Sequence, residues 1–502
     1  MSRVILIDPR GWQGAVNGYR PSPNVGIAYL VSSLRKAGYN ISVIDLNNEA
    51  LTNTQVLEKI EEYRPDILGF SAKTATMGDA RQLAHKVKSK WPKLPIVLGG
   101  PHTMFFWRDL VLESPFDVVF VGEGEVILSK LCISLLDGDC IESLPGVVTK
   151  QNFDKNQNLD NTLLSTFDLE TVPFPDYDLF PVNIREFISK SYPLITSRGC
   201  VYKCTYCSVP KISGKQVRKR SPENIIEELR RARKDYFSQS FDILDDVFNI
   251  DMERCKRFCL ALIEAELSMT WSCPNGLRAD RVDDELAEYM YRSGCTSVML
   301  GVESADPEVL KAIRKGESVD DIERGIRIFQ KAGITVGGYF IIGLPGDSMD
   351  SEMKSVEFAK RLGINAHFNM LVPYPGTELW EWSNKNGHFL GNIEDGLHFA
   401  DDPDKIHVVF ETDDFPASER KRAYEMTHTR IGQFGMLIPP KLTQWGYSKR
   451  RCRLLWEYDR AALPVYLFAV LTGKGSSLMR HLARFVKTVF TGKKHDHPRQ
   501  SA

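Results

Sequence analysis

The chain has 502 residues, 43% of them hydrophobic and 26% charged, with a formal net charge of −1. That length is too great for one simple core and implies two or three domains. The near-neutral balance excludes a global electrostatic attraction to nucleic acid or to a membrane surface, and no apolar run is long enough to span a bilayer. Ten unevenly spaced cysteines do not make a secreted disulfide framework. The opening run Met1-Ser2-Arg3-Val4-Ile5-Leu6-Ile7-Asp8 reads as a short strand rather than a signal peptide, so a reducing cytoplasm is the expected compartment.

Residues 1–150 alternate strand and helix patterns. Strands are expected at Val4–Asp8, Ile41–Asp45, Ile67–Ser71, Ile96–Gly99 and Val118–Gly122. Helices are expected around Val25–Lys36, Thr54–Glu62, Asp79–Lys90 and Val126–Leu136. This pattern predicts a parallel sheet covered on both faces, with ligands bound outside the carboxyl ends of its strands. Four loops fall there: Asp8-Pro9-Arg10-Gly11, Ser71-Ala72-Lys73-Thr74, Gly99-Gly100-Pro101-His102 and Gly122-Glu123-Gly124-Glu125. Their glycines let backbone approach a large flat ligand closely. No G-x-G-x-x-G follows the first strand, so a dinucleotide site is unsupported. A flavodoxin-like fold without a ligand is the bland alternative.

Residues 151–190 lose periodicity and gather prolines and acids, as in Val172-Pro173-Phe174-Pro175-Asp176. Phe174, Tyr177 and Phe180 predict an ordered crossing between domains rather than a flexible linker.

Next comes Ser197-Arg198-Gly199-Cys200-Val201-Tyr202-Lys203-Cys204-Thr205-Tyr206-Cys207, a C-x3-C-x2-C loop after a short apolar run. Three soft thiolates on one loop can hold three irons of a [4Fe–4S] cluster and leave the fourth iron open to a small-molecule ligand. A zinc knuckle is the competing reading, although no second cysteine pair follows within about thirty residues.

Six strand-like runs then recur, at Pro193–Thr196, Phe241–Leu244, Thr270–Cys273, Ser297–Val302, Val336–Ile342 and Ala366–Val372. Helical patterns lie between them at Pro222–Asp235, Met252–Glu266, Asp284–Arg292, Asp320–Lys331 and Ser351–Leu362. Six such units predict a partial (β/α)6 barrel, whose active residues come from the carboxyl strand ends. Those ends carry the cysteine loop, Asp245-Asp246, Asn275 with Arg278, Glu303-Ser304, Gly343-Leu344-Pro345-Gly346 and Pro373-Tyr374-Pro375-Gly376-Thr377.

The cysteine spacing, with an aromatic residue before the last cysteine, resembles the signature of the radical S-adenosylmethionine (SAM) superfamily, and the resemblance extends over most of Leu194–Leu379. The first segment resembles the cobalamin-binding domain that precedes the barrel in one class of those enzymes. That likeness rests on strand order, Pro23–Leu30, Gly99-Gly100-Pro101-His102 and Gly122-Glu123-Gly124-Glu125. The resemblance implies an α/β chain: a Rossmann-like cobalamin-binding domain (1–150), a linker (151–190), a radical SAM partial barrel (191–400) and a helical C-terminal region (401–502).

It further implies that Cys200, Cys204 and Cys207 ligate a [4Fe–4S] cluster. Tyr206, Asp245, Arg278, Glu303, Gly343 and Pro345 would lie along SAM. Pro9, Arg10, Ser71, Thr74, Gly99, Gly100, His102, Gly122, Glu123 and Gly124 would line cobalamin. On the residues alone, Asp245 and Asp246 are equally readable as strand-end caps, and Glu303 and Arg278 as a structural ion pair. Arg10 stands where other cobalamin domains carry the cobalt-ligating histidine of D-x-H-x-x-G, and a guanidinium cannot serve. His102 is a candidate lower ligand or a loop residue packing beside the corrin.

The implied reaction is methylation of an unactivated carbon or phosphorus centre through methylcobalamin and a 5′-deoxyadenosyl radical. Cyclisation, oxidation or ring rearrangement with the same cofactors, and a non-enzymatic cobalamin or redox sensor, are the alternatives. The expected partners are a small-molecule, lipid or tetrapyrrole-like substrate and a flavodoxin- or ferredoxin-type electron donor, with no nucleic acid.

Cys132, Cys140, Cys255, Cys259 and Cys295 read as buried thiols, and Cys273 as a thiol at a strand end facing the cavity. After about Asp401 the chain looks helical. From Lys441 about thirteen Lys and Arg face about three acids, and Ser477–Phe490 patterns as a basic amphipathic helix. That helix suggests peripheral membrane contact, or packing on the barrel.

Overall fold

Two parallel sheets arise from the apolar runs that alternate with amphipathic helices. The structure, a computed structural model, describes residues 2–11, 23–113, 115–156, 159, 167–393 and 407–430. The basic helix expected at Ser477–Phe490 lies outside the described residues.

The first sheet contains β1 (Arg3–Asp8), β2 (Asn40–Asp45), β3 (Ile67–Ser71), β4 (Ile96–Gly99), β5 (Val118–Phe120) and β6 (Val147–Val148), in the order β2-β1-β3-β4-β5-β6. Only β6 runs antiparallel. The connecting helices are α1 (Val25–Lys36), α2 (Asn53–Tyr63), α3 (Met77–Lys90), α4 (Thr103–Glu113) and α5 (Ile127–Asp137). Every residue of β1 after Arg3 is buried because both faces of the sheet are covered. Val4 and Leu6 share a core with Ile27, Val31 and Leu34 of α1, while Ile5 and Ile7 pack with Val56, Ile60 and Leu83 of α2 and α3. The sequence pattern anticipates neither α4 nor β6. In α4 the half-buried Phe105 and Phe106 and the exposed Leu112 blur the periodicity. β6 is only two residues long.

Asp8 and Asp45 are paired in register at the ends of β1 and β2, and both are buried. The Asp8 carboxylate accepts from Asn24 and Asn47, each at 2.9 Å. Burial, and secondarily the neighbouring Asp8, push the Asp45 carboxyl up to about 7. The folded state therefore keeps a proton that an unfolded aspartate loses near pH 4. This group's contribution to stability is full below about pH 4 and declines as pH rises toward 7. Asp45→Asn is expected to flatten that decline, which urea unfolding at pH 5 and pH 8 measures. An unchanged slope would count against it.

The linker is ordered where it is described. Asp176 N donates to Ala28 O at 3.1 Å, the Asp176 carboxylate pairs with Arg35, and Tyr177 and Phe180 are buried. Phe174 is half-buried. A helix not foreseen in the aperiodic stretch, α6 (Val182–Lys190), closes it.

The second sheet begins with β7 (Tyr192–Leu194). A short antiparallel pair, β8 (Ser197–Arg198) and β9 (Arg218–Lys219), follows, with α7 (Val209–Ile212) between its strands. The remaining sheet strands are β10 (Ser240–Ile243), β11 (Thr270–Leu277), β12 (Cys295–Glu303), β13 (Thr335–Ile342) and β14 (Asn365–Met370). All six sheet strands are parallel, in the order β14-β13-β12-β11-β10-β7, so β7 and β14 are edges of an open (β/α)6 arrangement. The helices are α8 (Pro222–Asp235), α9 (Met252–Glu264), α10 (Asp284–Arg292), α11 (Pro307–Ala312), α12 (Val319–Lys331), α13 (Met349–Leu362) and α14 (Glu378–Asn386). Good caps fix their starts: Ser221, Asp251, Asp283 and Ser318 each accept from an N-terminal backbone N–H.

Beyond α14, β15 (His388–Phe389) pairs with β16 (Phe410–Glu411), and α15 (Ala417–Arg430) follows. The expectation of helix alone after Asp401 is thus corrected by β16. The Arg420 side chain is buried and donates to the carbonyls of Phe415 at 2.8 Å and Phe410 at 2.9 Å.

Candidate active site at the facing sheet edges

The cysteine loop hangs from the β8–β9 pair as from a neck. Gly199 closes it with φ +99°, and a Cβ there would collide with the Gln216 carbonyl. Its N–H donates to Asp246 at 2.7 Å, and Cys200 N donates to Gly214 O at 3.1 Å. Gly199→Ala combines a strained φ with a backbone clash, and a loss of about 2 kcal/mol or more is expected. Chemical denaturation checks this, and a loss below about 0.5 kcal/mol would contradict the neck geometry.

Within the loop, Cys207 N donates to Cys204 O at 3.2 Å and Thr205 N to Ile313 O at 3.0 Å. Burial raises all three thiols above the ordinary range, Cys207 to about 12. All three lie on the one loop between β8 and α7. Among the described residues, no three His, Cys, Asp or Glu side chains converge closely enough for a single metal ion. A [4Fe–4S] cluster carries its ligand sulfurs on separate irons, so three thiols on one closed loop fit it better than a mononuclear zinc.

Beside the loop lies a buried charge network. Glu303, at the end of β12, adopts φ +65° and accepts from Lys315 Nζ at 3.2 Å. The Tyr206 hydroxyl also hydrogen-bonds Glu303, and burial raises that phenol well above its usual range. Lys315 sits 3.6 Å from Glu317, and Glu317 accepts from Ala279 N and Asp280 N. The sequence reading missed Lys315 and Glu317 because they lie on a loop after α11 rather than at a strand end.

Three residues expected along SAM have partners within the protein. Arg278 has its guanidinium committed to Asp280, to the carbonyls of Lys315 and Gly316, and to a stack 3.7 Å over Tyr202. Its ion-pair partners are Asp280 and Glu317, while Glu303 pairs with Lys315. Asp245 accepts from Thr196 N at 2.6 Å and from the hydroxyls of Thr196 and Ser197, fastening the end of β7 to that of β10. It does not cap the next helix, because Asp251 caps α9. Gly343, with φ +98°, faces the Arg420 guanidinium, where a Cβ would come within 2.5 Å, and its N–H donates to Asp347 at 2.8 Å. Pro345 is buried in the same turn.

At the carboxyl edge of the first sheet, Ser71, Gly99, Gly100, Gly122 and Gly124 are small and half-buried, leaving room for a flat ligand. Gly100 needs its φ of +98°, since a Cβ would lie 2.6 Å from Ala72 O. Arg10 bonds Asp79 through its N–H at 2.9 Å and its guanidinium at 3.3 Å, and it also donates to Leu51 O. Pro9 O accepts from Asn47 at 2.9 Å. His102 is buried, contacts Thr74 Oγ1 at 3.2 Å and stacks on Phe106, and burial lowers it to about 4. Of the two readings of His102, this favours the packing residue.

Glu123, expected along cobalamin, has ion-pair partners within the protein. Its carboxylate accepts from Arg218 at 2.8 and 2.5 Å and lies 3.4 Å from Arg198, so it points at the neck of the cysteine loop. Glu125, not anticipated, accepts from Arg198 at 2.7 Å. Phe105 of α4 meets Tyr374, beyond β14, at 5.3 Å. The carboxyl edges of the two sheets therefore face each other.

Cys273 packs in the core rather than facing a cavity, and Cys140 is exposed rather than buried. Cys132, Cys255, Cys259 and Cys295 are buried.

Residues 194–376 match the Radical SAM superfamily and residues 15–131 the B12 binding domain. The chain is 32% identical over 371 residues to "Uncharacterized methyltransferase PH0819" of Pyrococcus horikoshii, spanning 73% of this chain and 80% of that protein. It is 25% identical over 394 residues to the anaerobic magnesium-protoporphyrin IX monomethyl ester cyclase of Rubrivivax gelatinosus, spanning 76% and 69%. In fold it resembles the radical S-adenosylmethionine methyltransferase TsrM from Kitasatospora setae, with TM-score 0.67, 17% identity, and 88% and 90% of the two chains covered. The chain belongs to the cobalamin-binding radical SAM enzymes. Its cofactors are a [4Fe–4S] cluster, SAM and cobalamin, and it acts on a small molecule with an electron donor. Among the described residues, no helix is long and apolar enough to cross a membrane.

Proposed function

We propose that this enzyme methylates an unactivated carbon or phosphorus centre of a small molecule. The observation that carries the reading is the facing of the two edges, with the corrin-side turn at Glu123 held against the cysteine loop by Arg198 and Arg218. When bound, the reduced cluster and SAM supply one-electron chemistry that activates the substrate, and the corrin supplies the methyl group. Cys200, Cys204 and Cys207 hold the cluster. Tyr206 and Glu303, hydrogen-bonded beside Cys204 and Cys207, offer the polar end of SAM its surroundings. Gly343 and Pro345 shape the far side of that pocket. Ser71, Thr74, Gly99, Gly100, Gly122 and Gly124 line the corrin, and Pro9, Arg10 and His102 brace the loops around it. The likeness to PH0819, named as a methyltransferase, supports the reaction type.

The finer reading is a lipid or tetrapyrrole-like substrate, reduction by a flavodoxin or ferredoxin, and a cytoplasmic enzyme touching the membrane surface through residues 477–490. The test is anaerobic incubation of the reconstituted enzyme with methyl-labelled SAM, hydroxocobalamin, a reductant and lipid or pigment fractions, with products read by mass spectrometry. A product carrying the labelled methyl is expected. An unlabelled product lighter by two hydrogens would replace methylation with ring closure.

A further inference from the structure

The Gly122-Glu123-Gly124-Glu125 turn and the neck of the cysteine loop are joined by four charged side chains from two sheets. Glu123 and Glu125 follow β5, while Arg198 and Arg218 are cross-strand partners on β8 and β9. Glu123 takes Arg218 in a two-point fork and also pairs with Arg198, and Glu125 takes the other side of Arg198. All four side chains are at most 19% exposed, so water screens them weakly. Aromatic rings back the arginines: Tyr29 lies 5.3 Å from Arg198 and Phe167 5.6 Å from Arg218. Forked, partly buried pairs fix geometry as well as adding energy. Arg198 is two residues from Cys200, and Glu123 stands between two glycines of the corrin-side turn.

We propose that Glu123, Glu125, Arg198 and Arg218 are positioning residues that form a clasp coupling the two cofactor sites, so that occupancy of the cysteine loop changes the affinity of the corrin edge. The physical route is short. A loaded loop holds β8 and β9 in place, and the arginines then hold the glycine-flanked turn in its binding conformation. An empty loop lets the neck relax, and the turn must be ordered when the corrin binds. Such a coupling is symmetric and typically amounts to five-fold or more in affinity. It rests on the cofactor set and not on methyl transfer, so it stands or falls separately from the reaction type.

The experiment measures hydroxocobalamin affinity by anaerobic equilibrium dialysis, using the full chain with its cluster and again after the cluster has been removed by oxidation and chelation. Wild-type protein is expected to bind hydroxocobalamin about five-fold or more tightly when loaded. Glu123→Gln and Arg218→Met should each bring the ratio toward one, while Arg218→Lys, which keeps the charge, should retain part of it. Equal affinities for the two wild-type forms would overturn the proposal. So would an undiminished ratio in both Glu123→Gln and Arg218→Met. Loss of affinity in Glu123→Gln that is the same with and without the cluster, while Arg218→Met keeps the full ratio, would make Glu123 a direct corrin contact instead. Should Glu123→Gln fail to fold, Arg218→Met, outside the corrin domain, decides by itself.

Discussion

Replacing Cys200, Cys204 and Cys207 together by alanine is expected to remove the brown chromophore, reduce bound iron from about four per chain to none, and abolish reductive cleavage of SAM. The buried thiols elsewhere in the described residues are poor substitutes. Cys132, Cys255, Cys259, Cys273 and Cys295 are buried in apolar surroundings, and burial raises every one of them above the ordinary range. The fold should survive the change. Backbone bonds hold the loop (Cys200 N to Gly214 O, Thr205 N to Ile313 O, Cys207 N to Cys204 O), and alanine keeps all of them. Far-ultraviolet circular dichroism separates loss of the cluster from loss of the fold. A triple variant that still holds about four irons after anaerobic reconstitution would refute the assignment.

Lys315→Met is expected to destabilise the protein by about 3–5 kcal/mol, the usual result of removing one partner from a buried ionic group. Lys315 is 6% exposed and lies between two buried carboxylates, Glu303 at 3.2 Å and Glu317 at 3.6 Å. Methionine matches the stem but leaves both acids without their ammonium. Glu317 retains Ala279 N and Asp280 N, yet its second oxygen has no hydrogen-bond partner. Adding Glu317→Gln should recover part of the loss, so the double variant is less damaged than the sum of the singles. Urea unfolding of the four proteins measures this. A Lys315→Met loss under about 1 kcal/mol would mean that the acids are neutral or hydrated without the lysine.

The alternation of strands and helices was legible because each carries its own period. Pro222–Asp235 and Asp284–Arg292 have the expected bounds, each with a cap residue immediately before it. β11 was read four residues short, since Pro274 and Gly276 look like a turn. The strand continues to Leu277 through a register shift, with Gly276 at φ +105°. The cysteine loop was visible because its chemistry is local.

What local reading could not supply was the destination of each charged side chain. Glu123 finds Arg218 at a separation of 95 residues, and Asp245 finds Thr196 at 49. A carboxylate at a strand end therefore reads as a ligand contact until its partner is known. Arg278 was assigned outward for the same reason, although its neighbours Asp280 and Gly316 satisfy it.

The Arg420 side chain has a consequence for where this enzyme can be cut. Its guanidinium lies against the glycine of the Gly343-Leu344-Pro345-Gly346 turn, near Asp347 and the fully buried Glu352, and burial pushes the Glu352 carboxyl well above the usual range. The radical SAM match ends at residue 376, yet the cation that faces those acids comes from α15, more than forty positions later. The span of the family match is thus shorter than the set of elements that supplies its buried charges. A chain stopped at 376 would keep every cluster ligand and still leave Asp347, on the turn before α13, without the guanidinium that faces it. Segment exchange between relatives should therefore place its crossover after residue 427 rather than at the end of the shared barrel.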